Sequence, residues 1–275
     1  MNGFVEPEPS GWREHALAEL NADIGPGDPS AGLLADLWCR WRIEAQSEGV
    51  LCGAGIAAWV MQGEGAEPTA RDAETIAPGT VVLQGEGSAR EVVSKERTAL
   101  NYLMFLSGAA TLTRRFVQAV SHTPCRILDT RKTAPGMRLL QKYAVRCGGG
   151  HNHRTALYDG VMVKDNHIAV AGSVDAAVRK ARTARHLLRV EVECSTPEMA
   201  HQAFRAGADV LLLDNMALAD MRSVVQDLGG KVQLEASGGV NLDTVAAIAE
   251  TGVDFVSVGA LTHSASALPF HLEVE

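Results

Sequence analysis

The most constraining feature of this 275-residue sequence is a repeat that begins at Pro124. Short apolar runs at 126–128, 161–163, 188–192, 210–213, 232–235 and 255–258 alternate with helical patterns at 173–186, 197–206, 217–228 and 242–251. Ser195-Thr196-Pro197-Glu198 is a strong helix start, with a capping hydroxyl and proline in the first turn. Gly207, Gly229 and Gly252 stand where helices should stop. Apolar strands separated by helices imply a parallel sheet whose faces are covered by those helices. The six runs also end alike, in Asp129-Thr130-Arg131-Lys132, Lys164-Asp165-Asn166-His167, Glu193, Asp214-Asn215, Ser237-Gly238-Gly239 and Gly259. From Glu193 the steps are 21, 23 and 22 residues, the length of one β-α unit. Strand ends that share polar chemistry favour closure into a barrel, because there they converge on one ligand-binding face.

Three signals describe what that face would bind. Ser237-Gly238-Gly239 and Ser257-Val258-Gly259-Ala260 bring small residues to helix starts, where backbone N–H groups can meet a phosphate; two tight turns would read the same way. A basic cluster follows. Arg126, Arg131, Lys132, Arg138, Lys142, Arg146, Arg154 and Lys164 oppose only Asp129, Asp159 and Asp165, a window of +5 in a chain of −8. Arg131, Lys132 and Lys164 lie at strand ends. Arg138, Lys142 and Arg146, four residues apart, read better as a solvated helix face. Lys164 could form a Schiff base or serve as a point charge for phosphate or carboxylate. The loop Gly148-Gly149-Gly150-His151-Asn152-His153-Arg154 could hold a metal through its two histidines, but anion contact by His153 and Arg154 fits the basic surroundings better. Glu193 and Asp214 are acidic in this mouth. They suit sugar hydroxyls, a Mg²⁺ ion held mainly by substrate, or local charge balance.

Composition excludes several alternatives. The acidic balance and 13 aromatic residues argue against nucleic-acid or membrane-surface binding. No apolar run reaches the roughly 18 to 20 residues of a membrane span. Five cysteines without a C-x-x-C pair suit a reducing cytosol, and the first residues carry no signal-peptide pattern. The first 95 residues read as an α+β mixture. A short helix is expected at 12–21, a Gly/Pro/Asp-rich loop at 25–32, a strand at 37–46 and a glycine-bounded turn at 49–55. A helix should begin at 56 and run to 62, and a strand should fill 81–85 after a turn at 77–80. Residues 94–121 have helical spacing, with Ser94 as N-cap and Gly108 interrupting the run, so one kinked helix or two are expected.

The sequence resembles the quinolinate phosphoribosyltransferase family. The likeness rests on Glu96-Arg97-Thr98-Ala99-Leu100-Asn101, Asp129-Thr130-Arg131-Lys132-Thr133, His153-Arg154, Lys164-Asp165-Asn166-His167, Val190-Glu191-Val192-Glu193, Leu213-Asp214-Asn215, Glu235-Ala236-Ser237-Gly238-Gly239 and Ser257-Val258-Gly259-Ala260-Leu261-Thr262-His263, in family order. The resemblance implies an amino-terminal α/β sandwich (1–105, joined by the tail 264–275) and an incomplete, six-stranded parallel α/β barrel (106–263). It implies transfer of phosphoribose from 5-phosphoribosyl-1-pyrophosphate to quinolinate, with loss of CO₂ and Mg²⁺ as cofactor. It also implies a cytoplasmic homodimer with shared active sites, or a hexamer. Arg97 would enter the neighbouring subunit's site. Arg131, His153, Arg154 and Lys164 would hold the quinolinate carboxylates, and Lys132 and Lys164 the pyrophosphate. Glu193 and Asp214 would bind ribose hydroxyls directly or through Mg²⁺. Thr130, Ser237, Gly238, Gly239, Ser257, Gly259, Ala260 and His263 complete the implied substrate site, and Lys132, Lys164, Glu193 and Asp214 are the implied catalytic set. Nicotinate phosphoribosyl transfer, a non-catalytic phosphometabolite sensor and a Lys164 aldolase are the alternatives.

Overall fold

The computed structural model describes residues 10–34, 37–61, 65–183 and 187–275. Packing divides the chain into two compact units: residues 1–114 with 134–149 and 264–275, and residues 115–133 with 150–263. Among the described residues, no helix is long and apolar enough to cross a membrane. The expected helix ends at Gln62 and His186 lie outside the described residues.

In the first unit, helix α1 (Trp12–Ile24) and a 3₁₀ turn (Ser30–Leu34) precede strand β1 (Trp38–Ala45). Cys39, Trp41, Ile43 and Ala45 of β1 are buried, while Trp38 and Arg40 face out. This is the period-two pattern of a strand with one covered face. A small ribbon pairs β2 (Gly49–Val50) with β4 (Thr75–Ile76). Helix α2 (Ala54–Val60) starts two residues earlier than expected. Its cap is supplied from a distance: the Asp72 carboxylate accepts the Gly53 and Ala54 N–H groups, both at 2.9 Å. Strand β3 (Glu67–Pro68) pairs with β5 (Val81–Ser88), which pairs antiparallel with β1.

Helix α3 (Ala89–Ala119) is one continuous element of 31 residues. It begins before Ser94, whose hydroxyl instead donates to Asp28 Oδ2 at 3.1 Å. The residue before the helix is Ser88, which accepts a long 3.5 Å bond from Glu91 N–H. Gly108 does not break the helix. A Cβ there would stand 2.2 Å from the carbonyl oxygen of Ser266, so glycine permits a close backbone approach. Helix α4 (Arg138–Cys147) also overturns an expectation, because Lys142 is buried. Arg146 stacks on the Tyr143 ring, with 5.7 Å between guanidinium carbon and ring centroid. The four-residue spacing of cations is therefore not a solvated face.

The second unit is a six-stranded, wholly parallel sheet: β6 (Arg126–Leu128), β7 (Val161–Val163), β8 (Val190–Cys194), β9 (Val210–Asp214), β10 (Gln233–Ser237) and β11 (Phe255–Ser257), in spatial order β6-β11-β10-β9-β8-β7. No strand pairing joins β6 to β7 among the described residues, as in an incomplete barrel. His151 makes an isolated parallel bridge to Leu128 on the free side of β6. The intervening helices are α5 (Asp165–Ala171), α6 (Val174–Thr183), α7 (Pro197–Ala206), α8 (Leu218–Leu228), α9 (Val245–Ala249) and α10 (Ala260–His263). Helix α7 matches its sequence signal: Thr196 Oγ accepts the Met199 N–H at 3.2 Å, and Gly207 ends the helix at φ +95°. Helix α9 is shorter than expected. It spans only Val245–Ala249, and a turn leads into it in which Asn241 Oδ1 accepts the N–H groups of Asp243 (2.9 Å) and Thr244 (3.1 Å). The chain ends in β12 (Phe270–Val274), which pairs antiparallel with the other edge of β1.

Candidate active site

The carboxyl ends of the barrel strands enclose a cavity of about 460 Å³. It is lined by Thr130, Arg131, Lys132, His153, Arg154, Met162, Lys164, Glu193, Leu212, Asp214, Asn215, Glu235, Ser237, Gly238, Gly239 and Ser257. The register explains the assembly. Ser237 is level with Asp214, Glu235 with Leu212, and Leu212 with Glu193. Alternate residues of each strand point inward, so Met162 and Lys164, Leu212 and Asp214, and Glu235 and Ser237 enter the same space in pairs. A larger cavity of about 730 Å³ lies in the first unit, among His15, Thr98, Tyr102, Met104, Phe105 and Met137. It lacks the convergent cations of the barrel mouth.

The polar groups of the mouth are set for anions. Arg131 Nε and Arg154 Nε are buried with no hydrogen-bond partner, each a donor awaiting an acceptor. Arg154 Nη1 donates to the Gly160 carbonyl at 2.8 Å, which fixes the guanidinium plane. Burial, and then the adjacent Arg131 charge, pull the Arg154 pKa below the ordinary guanidinium value. A carboxylate placed beside the two side chains would offset both effects. Lys164 Nζ pairs with Glu193 Oε2. Cys194, at the end of β8, is buried, and burial pushes its thiol up to about 12. It is no nucleophile at neutral pH.

The glycine turns follow from contact. Gly238 adopts φ +98°, and a Cβ there would lie 2.2 Å from Asn215 Oδ1. Asn215 itself has φ 51°, donates its N–H to the Ser237 carbonyl at 2.8 Å, and donates from Nδ2 to Asp214 Oδ2 at 2.8 Å. The Gly238 turn and the Asp214 carboxylate are thereby tied together. Helix α9 starts only at Val245, so Gly239 does not open a helix as expected. At Gly259 a Cβ would meet His263 Nε2 at 3.0 Å and Lys132 Cδ at 3.4 Å. Thr262 Oγ1 donates to the Lys132 carbonyl at 2.7 Å, so the Gly259–His263 segment is laced to Lys132. Ala260 opens the four-residue α10. Of the sequence-derived residues, Gly259, Ala260 and His263 do not line this cavity, and neither does Arg97, which lies exposed on α3 in the first unit.

Residue types alone missed the floor of the site. Glu191 and Glu235 are buried, and His153 Nε2 lies 3.0 Å from Glu191 Oε2 and 3.7 Å from Glu235 Oε2. Burial, then the facing Glu191 charge, push the Glu235 pKa upward. Their signal was present, since each lies two positions before a strand end already identified, on the same inward face. For Mg²⁺ the fitting donors are Glu193 and Asp214, hard carboxylate oxygens on the cavity wall that would complete an ion held mainly by substrate oxygens. His153, Glu191 and Glu235 bring ligand atoms within 4.8 Å of one another, but they mix an imidazole with buried carboxylates.

The family model for the quinolinate phosphoribosyl transferase N-terminal domain matches residues 30–107, and that for the C-terminal domain matches residues 109–273. A probable nicotinate-nucleotide pyrophosphorylase (carboxylating) of Bacillus subtilis is 41% identical over 258 residues, covering 92% of this chain and 89% of its own. The crystal structure of NadC from Streptococcus pyogenes superposes with a TM-score of 0.94 at 35% identity, covering 99% of both chains. That of the nicotinate-nucleotide pyrophosphorylase from Francisella tularensis does so at 0.92 and 38%, covering 95% of both. Two matching domain models and full-length relatives agree with a mouth built for a small polyanion, and the chain belongs to the quinolinate phosphoribosyltransferase family.

Proposed function

We propose that this chain transfers phosphoribose from 5-phosphoribosyl-1-pyrophosphate to quinolinate, yielding nicotinate mononucleotide, pyrophosphate and CO₂ on the de novo route to NAD. The observation that carries this reading is the pair of buried, unpartnered guanidinium nitrogens of Arg131 and Arg154 in one cavity with Glu193 and Asp214. A dianionic acid satisfies the first pair, and a sugar suits the second. In this reading Arg131, Arg154 and Lys164, with the partner subunit's Arg97, take the two carboxylates. Gly238, Gly239 and Ser237, with Gly259 and His263 beside Lys132, take the 5′-phosphate.

The ring nitrogen attacks the anomeric carbon as a neutral pyridine, so no general base is required. The carbon–oxygen bond to pyrophosphate breaks as the carbon–nitrogen bond forms, and positive charge builds on the ribose. Glu193 and Asp214 face that charge, while Lys132 and Lys164 face the departing phosphates. Glu193 and Asp214 would also hold a Mg²⁺ ion bound mainly by substrate oxygens, and that ion would neutralise charge on the pyrophosphate. The carboxylate beside the quaternised nitrogen then leaves as CO₂. The electron pair left on that ring carbon is stabilised by the pyridinium and takes a proton. Positioning carries most of the rate. A cytoplasmic homodimer, alone or within a hexamer, completes the reading. Five buried cysteines, none of them in a disulfide, support a reducing compartment.

The deciding assay offers quinolinate and nicotinate in parallel with phosphoribosyl pyrophosphate and Mg²⁺. Equal yields of CO₂ and nicotinate mononucleotide from quinolinate are expected, and turnover of nicotinate without CO₂ overturns the reading. Arg131→Ala should keep the fold by circular dichroism yet lose quinolinate affinity by at least about tenfold, the weight of one charged hydrogen-bond pair.

A further inference from the structure

His153 stands in the candidate site, but its ring faces the protein on both sides. Its loop is anchored first by the backbone. Asp129, fully buried, accepts the His153 N–H through Oδ1 at 2.8 Å and Asn152 Nδ2 through Oδ2 at 2.6 Å. The ring then makes two further links. Nδ1 accepts the backbone N–H of Arg154 at 2.8 Å. Nε2 meets Glu191 Oε2 at 3.0 Å. A ring nitrogen that accepts an N–H carries no proton, so the single proton of the neutral ring sits on Nε2 and is donated to Glu191. Neither nitrogen is left to donate to a ligand in the cavity. Glu191 lies two positions below Glu193 on β8, is buried, and does not itself line the cavity.

We propose that His153 is a positioning residue, not a ligand of the acid substrate. With Glu191 as its anchor, it fixes the backbone from which Arg154 reaches across the mouth. The proposal rests on the reading of the cavity as a quinolinate site. Its physical basis is the entropy of a long side chain. An arginine whose main chain and one terminal nitrogen are already held loses little more freedom when it grips a carboxylate. Glu191, which does not line the cavity, thereby becomes a determinant of substrate affinity.

Nitrogen-15 NMR of the unliganded, histidine-labelled enzyme reads the ring directly. The expected state is the neutral tautomer with its proton on Nε2, unchanged when quinolinate is added. An imidazolium, the opposite tautomer, or a change of tautomer on adding quinolinate overturns the proposal. A double-mutant cycle follows the same link in binding, by calorimetry with quinolinate alone. His153→Ala and Glu191→Leu should each weaken binding about tenfold, and the double variant should be no weaker than the weaker single one. His153→Gln should recover most of the loss, because its amide N–H can reach Glu191. Binding of phosphoribosyl pyrophosphate alone should not change. Additive losses, or a Glu191→Leu variant that binds quinolinate normally, overturn the proposal. Should Glu191→Leu not fold, Glu191→Gln keeps an acceptor for the ring and is expected to bind normally. If the parent binds no quinolinate, the functional reading fails, while the tautomer measured in the free enzyme still decides the role of His153.

Discussion

Glu235 occupies a place where ionisation is opposed, since it is buried and faces the Glu191 carboxylate; His153 pulls the other way and does not outweigh them. Its pKa in the folded chain is raised, so the native state holds the proton more tightly than the unfolded chain does. The stability this contributes is complete below the unfolded carboxyl pKa and is lost as pH rises through the folded value. Glu235→Gln replaces the protonated acid with a neutral amide of the same shape. Denaturant titrations at about pH 5 and about pH 9 should find the parent losing stability between the two, relative to this variant. An equal pH dependence in both proteins would exclude the raised carboxyl. At this scale, residues at strand ends were legible in the sequence, because a charged residue after an apolar run stands out. Glu191 and Glu235 were harder to recognise, since they lie inside the runs. Only the two-residue period of a strand, counted back from Glu193 and Ser237, turns them toward the same interior.

Helix α3 shows why element boundaries were less legible than element types. Its apolar spacing was clear, but Gly108 read as a break because glycine weakens a helix by about 1 kcal/mol relative to alanine. What the glycine serves is a contact about 160 residues away in sequence, with the Ser266 carbonyl, and no local pattern announces it. Gly108→Ala therefore sets two effects against each other. Helix propensity gains about 1 kcal/mol. Against it stands a Cβ placed 2.2 Å from a backbone oxygen, which must displace the segment leading to β12. Overpacking costs about 1–3 kcal/mol and wins when backbone must move. The variant should melt several degrees below the parent in a thermal scan; a rise in Tm would mean that the tail yields freely. Helix α9 shows the same uncertainty at its start. The Asn241 side-chain oxygen accepts the N–H groups of Asp243 and Thr244, first-turn donors with no acceptor inside a helix, yet the regular helix begins only at Val245.

For the whole molecule, the net charge of −8 averages two unlike regions. The window 126–167 carries +5, and the remaining chain carries −13. Arg131 and Arg154, the cavity-lining arginines whose buried Nε donors are unpartnered, belong to that window, and the cavity walls come entirely from the second unit. Arg97 belongs to the first unit and is exposed. A shared site in a two-fold dimer gives these facts a sharp consequence. If each barrel uses the partner subunit's Arg97, then Arg97→Ala and Lys164→Ala damage the same site from different chains. Each variant alone should be nearly inactive. Refolded together from denaturant, half of the dimers are hybrids. In a hybrid, one barrel keeps Lys164 and faces an intact Arg97, while the other lacks both. The mixture should therefore regain about one quarter of the parent activity, the share expected for random pairing in a two-fold dimer. If Arg97 served its own chain's barrel, every site in every dimer would lack one of the two residues, and mixing would restore nothing.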